Sequence, residues 1–97
     1  MYHISDVIGQ HVIVRTYSAG VHIGTLVECE GRAVLLRDSR RLWKWGGAFT
    51  LSEVAATGIA PSQSRMSVSI PDVILMEVIE LIPTTKAARA TFDATHE

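Results

Sequence analysis

The stretch RRLWKWGGA, residues 40–48, gathers both tryptophans of the chain, three cations and a glycine pair into nine positions. Each of these residue types has a use in binding. An indole offers a flat π surface on which a base can stack, worth about 1–3 kcal/mol per base. Arginine pairs with phosphate through two parallel hydrogen bonds. Glycines leave backbone N–H groups unobstructed, as phosphate-cradling turns require. If the stretch is extended, Arg41, Trp43 and Trp45 share one face, and Arg40, Leu42 and Lys44 share the other. A structural role is equally open, with one tryptophan in the core, the other over a neighbour and the cations solvated. A glycine pair without P-loop spacing does not decide between the two.

Other chemistries find less support. Arg32, Arg37, Arg40, Arg41 and Lys44 are five of the nine basic residues, opposed in that stretch only by Asp38, and they predict a basic patch. The formal net charge of −1 argues against a long nucleic acid as main partner. The histidines at 3, 11, 22 and 96 have no metal-ligand spacing, so no metal is expected. His22 stands out because it flanks the Gly20/Gly24 turn region. Cys29 is the only cysteine and lacks a matching histidine. Glu28/Glu30 and Glu77/Glu80 are carboxylate pairs with no nucleophile or base placed beside them by a motif. The expectation is a protein that is not an enzyme and needs no cofactor.

The elements that must position these residues follow from patterning. A chain of 97 residues, 47% apolar and 20% charged, suits one globular domain over 1–97. HVIVRTY (11–17) alternates, with Val12, Val14 and Thr16 on one side and Ile13, Arg15 and Tyr17 on the other, and predicts a strand. SAG (18–20) closes a hairpin, with Gly20 at positive φ. VHIGTLVE (21–28) is a second strand, in which Gly24 marks a bulge or a close approach, and AVLLR (33–37) is a third. TLSEVAATG (50–58) carries a helix signature: Thr50 as cap, Glu53 for a capping box and Gly58 as stop. IAPSQSR reads as a loop. For 72–82 a helix is possible, but the β-branched content and flanking prolines favour a long strand, in which Glu77 and Glu80 fall on opposite faces and require a bulge, an edge or a polar contact. TTKAARATFDA (84–94) predicts a helix capped by Thr84 or Thr85 and anchored by Ala88 and Phe92. The fold class is α+β: a meander of three to four antiparallel strands with one short helix and a C-terminal helix. No segment has the length of a membrane span or the pattern of a signal peptide, so a cytosolic protein is expected.

VRTYSAGVHIGTL, SRRLWKWGGAFTLSEVAATG and VILMEVIELIPTTKAA together resemble a family of short phage-encoded proteins of unknown function. The pattern is RTYSAGV at Arg15 to Val21, RRLWxW at Arg40 to Trp45, and EVIE at Glu77 to Glu80 followed by Pro83. It spans about three quarters of the chain. The resemblance implies a phage or prophage origin, and hence host cytoplasm during infection, but brings no catalytic residues. Small phage proteins often counter host defence, some as sponges that sequester nucleotide second messengers. This is an analogy of class. The leading expectation is therefore capture of a small nucleotide-like ligand, such as an ADP-ribose derivative or cyclic nucleotide. Trp43 and Trp45 would stack, and Arg15, Arg40, Arg41 and Lys44 would hold phosphate or ribose. Tyr17, Ser18 and the backbone of the SAG turn would line the rim, and Gly46 would offer its backbone N–H to the ligand. Nanomolar capture needs about −12 kcal/mol, more than one such set supplies, so a homo-oligomer is expected. Two rivals are a protein-binding inhibitor or assembly factor using the Trp/Arg surface, and a single-stranded nucleic-acid binder.

Overall fold

A computed structural model describes residues 4–97; His3 lies outside the described residues. After a short 3-10 turn, Ile4–Val7, the chain forms β1 (His11–Thr16), β2 (Val21–Glu30) and β3 (Ala33–Lys44), then helix α1 (Leu51–Thr57). A second 3-10 turn, Pro61–Gln63, leads to β4 (Arg65–Met66), β5 (Ile70–Leu75), β6 (Val78–Pro83) and helix α2 (Lys86–Asp93). The architecture is α+β with an antiparallel sheet and two helices, as the patterning predicts, but the sheet has six strands rather than three to four.

The extra strands have local causes. β3 continues past Arg37 through the RRLWK segment, and the expected loop at 59–65 contributes β4 at its end. The expected long strand over 72–82 is two strands, broken at Met76 and Glu77. Glu77 adopts a left-handed φ of 56°, which a continuous strand cannot accommodate. Its carbonyl accepts from the Tyr17 N–H at 3.1 Å.

The pairing order makes that corner a closure. β5 pairs with β3 and β6 pairs with β1, at opposite edges of the β3–β2–β1 meander, yet only two residues separate them. The sheet must therefore curl until its edges meet, and the Val78 N–H donates to the Arg32 carbonyl at 2.9 Å to hold the seam. Val12, Val14, Leu26, Leu36 and Leu75 fill the inside of the curl, with Val7 from the N-terminal turn. Ile13, Ile23 and Leu42 face outward, under Val54 and Ala55 of α1 and Ala88 and Phe92 of α2. The alternation expected for β1 is thus observed, with both faces buried.

One irregularity decides which face each β3 residue takes. Thr25 pairs with Arg37 but Ile23 pairs with Arg40, so Gly24 faces two residues of β3. Asp38 absorbs the extra residue with φ 53°. Gly24 is required here: a Cβ would lie 3.0 Å from the Arg37 carbonyl oxygen and 3.2 Å from the Ser39 Cα. Beyond the bulge the alternation is inverted, so Arg40 and Leu42 point toward the helices.

Both helices begin as predicted. The Thr50 hydroxyl accepts from the Glu53 N–H at 3.2 Å, while the Glu53 carboxylate accepts from the Phe49 N–H at 2.7 Å, one residue before the capping-box position. Thr85, not Thr84, caps α2, accepting from the Ala88 N–H at 3.1 Å. Thr84 instead bonds His11, donating to its carbonyl at 3.1 Å and contacting its Nδ1 at 2.5 Å.

Arg40 ties the end of α2 to the sheet. Its Nε donates to the Ser67 carbonyl at 2.8 Å, Nη1 to Phe92 at 2.8 Å and Nη2 to Thr95 at 2.7 Å. Helix-terminal carbonyls carry the negative end of the macrodipole, and the guanidinium fork bonds the last-turn Phe92 carbonyl together with that of Thr95 just beyond the helix. Arg40→Ala should cost about 2–4 kcal/mol, because three charge-assisted bonds vanish. Arg40→Lys should recover only part, lacking the fork. Thermal unfolding by circular dichroism checks both; an unchanged Tm in Arg40→Ala would refute the tie.

Candidate functional site

A depression of about 430 Å³ lies on the helix-covered side of the sheet. Trp45, Arg15 of β1 and Glu80 of β6 line it together. Register places Arg15 opposite Glu80 on neighbouring strands, and their charges lie 3.9 Å apart, both groups about half-exposed. Val21 and the first turn of α1, Thr50 to Ser52, complete the lining. Arg15 and Trp45 thus meet across 30 positions of sequence.

Trp45 departs from the face expected for it. The β3–β4 register shifts between Leu42 and Lys44, β3 ends at Lys44, and the indole packs against the cluster containing Leu42. It does not share a face with Arg41. Trp43 is the exposed indole, at 56%. The two roles expected for the tryptophans are divided between them, and the one that lines a cleft is the half-buried one.

The glycine pair is not an open cradle. The Gly46 N–H donates to the Ser64 hydroxyl at 3.1 Å, and its carbonyl accepts from Ala60 at 2.8 Å. A Cβ on Gly46 would lie 2.6 Å from Gln63 Oε1, and one on Gly47, at φ 84°, would lie 2.9 Å from Ala60. The pair lets the chain pass tightly under the Pro61–Gln63 turn.

The remaining predicted residues are dispersed. Arg40 is engaged with α2, as described above. Arg41 faces the inside of the curl, opposite His22, away from Arg15. Lys44 and Ser18 are exposed. Tyr17, 80% exposed, sits at the β5–β6 corner with Arg32, Glu77 and Ile79. The expected basic patch does not form, because alternation, the bulge and the β2–β3 turn send its members in different directions. Arg37 pairs with Asp72 of β5 at 3.4 Å. Among the described residues, no group of three or more His, Cys, Asp or Glu side chains is placed to hold a metal.

Sequence reasoning missed Val21, Thr50, Leu51 and Ser52 as cleft residues, since their patterns speak only of strand and cap. Glu80 was visible as a carboxylate, but its partner Arg15 is set by the β1–β6 pairing.

Two histidines are held neutral. His11 has its pKa lowered to about 4, first by burial and then by the Arg89 charge; its ring stacks on Phe92 with centroids 6.1 Å apart. His22 is shifted down as well, by burial foremost, and its Nε2 lies 3.0 Å from the Ala19 carbonyl, which can only accept. Residues 9–92 match the model of a domain of unknown function, DUF6948. No curated protein and no solved structure matches the chain.

A depressed folded-state pKa means that the unfolded chain takes up the proton first. The urea midpoint should therefore fall as pH drops from 6.5 toward 4, and His11→Gln should flatten that slope. A His11 ring that titrates near 6.5 by NMR would contradict the buried, neutral assignment.

Proposed function

The chain belongs to the DUF6948 family, and we propose that it is a non-enzymatic binding protein that captures a small nucleotide-type ligand in the Trp45–Arg15 cleft. The observation that carries this reading is the convergence of an indole, a guanidinium and a carboxylate around one depression of about 430 Å³. That volume falls within the roughly 300–1,000 Å³ of small-molecule sites. Trp45 supplies the stacking surface. Arg15 holds a phosphate, and its loose pairing with Glu80 at 3.9 Å costs little to exchange. Glu80 then accepts from ribose hydroxyls, and the Ser52 hydroxyl adds a donor at the rim. Arg40, Arg41 and Gly46 leave the ligand set, because their donors or positions are committed elsewhere.

Energetics shape the rest of the proposal. One stacked base gives about 1–3 kcal/mol, and one charge-assisted contact about 1.5–3 kcal/mol. A single chain then binds with a Kd between roughly 10 mM and some tens of micromolar, whereas a sponge needs nanomolar affinity, about −12 kcal/mol. Tight capture follows if a second copy covers the cleft, so the sponge reading includes a homo-oligomer. The phage origin and anti-defence role, exercised in the host cytoplasm, rest on the family resemblance and on class analogy.

A second reading has its own support. Ile74, Met76 and Ile79 are more than half exposed around the β5–β6 corner, beside Tyr17. Such a cluster fits a protein-binding inhibitor or assembly factor. Specific recovery of one protein by crosslinking through this corner, from a variant that no longer binds nucleotide, would favour it.

Calorimetric titration with AMP, ADP-ribose and cyclic nucleotides tests the leading reading. At least one should bind saturably, and Arg15→Gln should weaken it tenfold or more, about 1.4 kcal/mol, without lowering Tm. Absence of binding by all of them would refute the proposal.

A further inference from the structure

On the inside of the curl, at the end of the sheet near the β1–β2 turn, lies a separate groove of about 240 Å³. His22 and Arg41 face each other across the β2–β3 pair and line it, with Ser39 between the bulge and Arg41. Val68, Ile70 and Val73 add an apolar lining, with Ile70 paired to Ser39 across the β3–β5 ladder. Val68 and Ile70 are exposed there, whereas Val73 packs on the interior cluster.

Three groups in this groove have unused bonding capacity. The Arg41 guanidinium has no acidic group within ion-pair distance among the described residues; only its backbone N–H is engaged, donating to the Ser67 hydroxyl at 2.8 Å. Asp72 pairs with Arg37, and the Glu97 side chain accepts from the Val68 N–H. His22 uses Nε2 on the Ala19 carbonyl, which leaves Nδ1 as a free acceptor. Ser39 is 1% exposed, and its hydroxyl makes no hydrogen bond among the described residues. A buried, unpartnered hydroxyl is a standing cost to the folded state. A cation, an acceptor and an orphaned hydroxyl around one apolar-walled groove together point to a ligand.

We propose that this groove binds a monocarboxylate carrying an apolar substituent, with the carboxylate on Arg41 and the substituent against Val68, Ile70 and Val73. A single guanidinium matches a carboxylate in charge and in two-point geometry. The groove offers no second cation for a phosphate dianion, and an apolar wall suits an aliphatic group. A hydrogen-bond donor on the ligand next to the carboxylate finds His22 Nδ1. The site is independent of the Trp45 cleft, which lies on the other face of the sheet.

An NMR titration with hexanoate, hexanamide and AMP distinguishes the outcomes. Hexanoate should shift the His22 ring and the Ile70 and Val73 methyls saturably, at least tenfold more tightly than hexanamide. Arg41→Gln should remove that preference while the dispersed amide spectrum persists. If Arg41→Gln loses dispersion, Arg41→Lys decides, with a preference at least threefold smaller than in the parent. Equal binding of acid and amide, a preference that survives loss of the guanidinium, or shifts confined to the Trp45 cleft would overturn the proposal.

Discussion

The arrangement of this molecule depends on the bulge at Asp38 opposite Gly24. A strand of twelve residues with strict alternation would send Val34, Leu36, Arg40 and Leu42 to one face. Here Leu36 fills the inside of the curled sheet while Leu42 packs beneath the helices. The inversion requires one extra residue in β3, a left-handed Asp38 and a partner without a Cβ. It also bends β3 enough for its first half to pair with β5 and its end with β4. Closure at the Met76–Glu77 corner follows from that bend.

The same inversion sorts the cations. Arg40 is turned toward α2 and binds three carbonyls, so a residue adjacent to Arg41 in sequence serves the opposite face. Arg41 is left with His22 over the concave groove. Arg15, on β1, stays on the outer face and meets Trp45. Two depressions therefore occupy opposite faces at one end of a small sheet, each with a single guanidinium. That division leaves each site one cation, so the proposed capture of a nucleotide calls for contributions from a second chain.

Much of the fold is legible in the residues. The alternation of HVIVRT, the turn at Gly20, the gap at Gly24, the Thr50–Gly58 helix and the Ala88/Phe92 anchor all carry local physical signals, and each is found in place. The split of 70–83 into two strands is less legible, because its cause is a positive φ at a glutamate, a conformation that no propensity favours there. The β5–β3 and β6–β1 pairings are long-range, so the residues that share a cleft could not be read from spacing. Arg15 with Trp45 is the clearest case: both residues carry binding chemistry, but only the β1–β6 register and the turn after Lys44 bring them together. Ser39 carried no signal at all, since its significance lies in a missing partner. The crowding of cations in 32–44 misled for the opposite reason, as neighbours along a strand point apart.

In the proposed function the indole of Trp45, half-buried beside Arg15, is the surface on which a nucleotide base rests, and the exposed indole of Trp43 is not. The two indole N–H resonances report on this separately in one nitrogen-correlated NMR spectrum, assigned with Trp43→Phe. During titration with AMP the Trp45 resonance should shift saturably, with Trp43 moving little. A shift of Trp43 alone, or of neither, would contradict it.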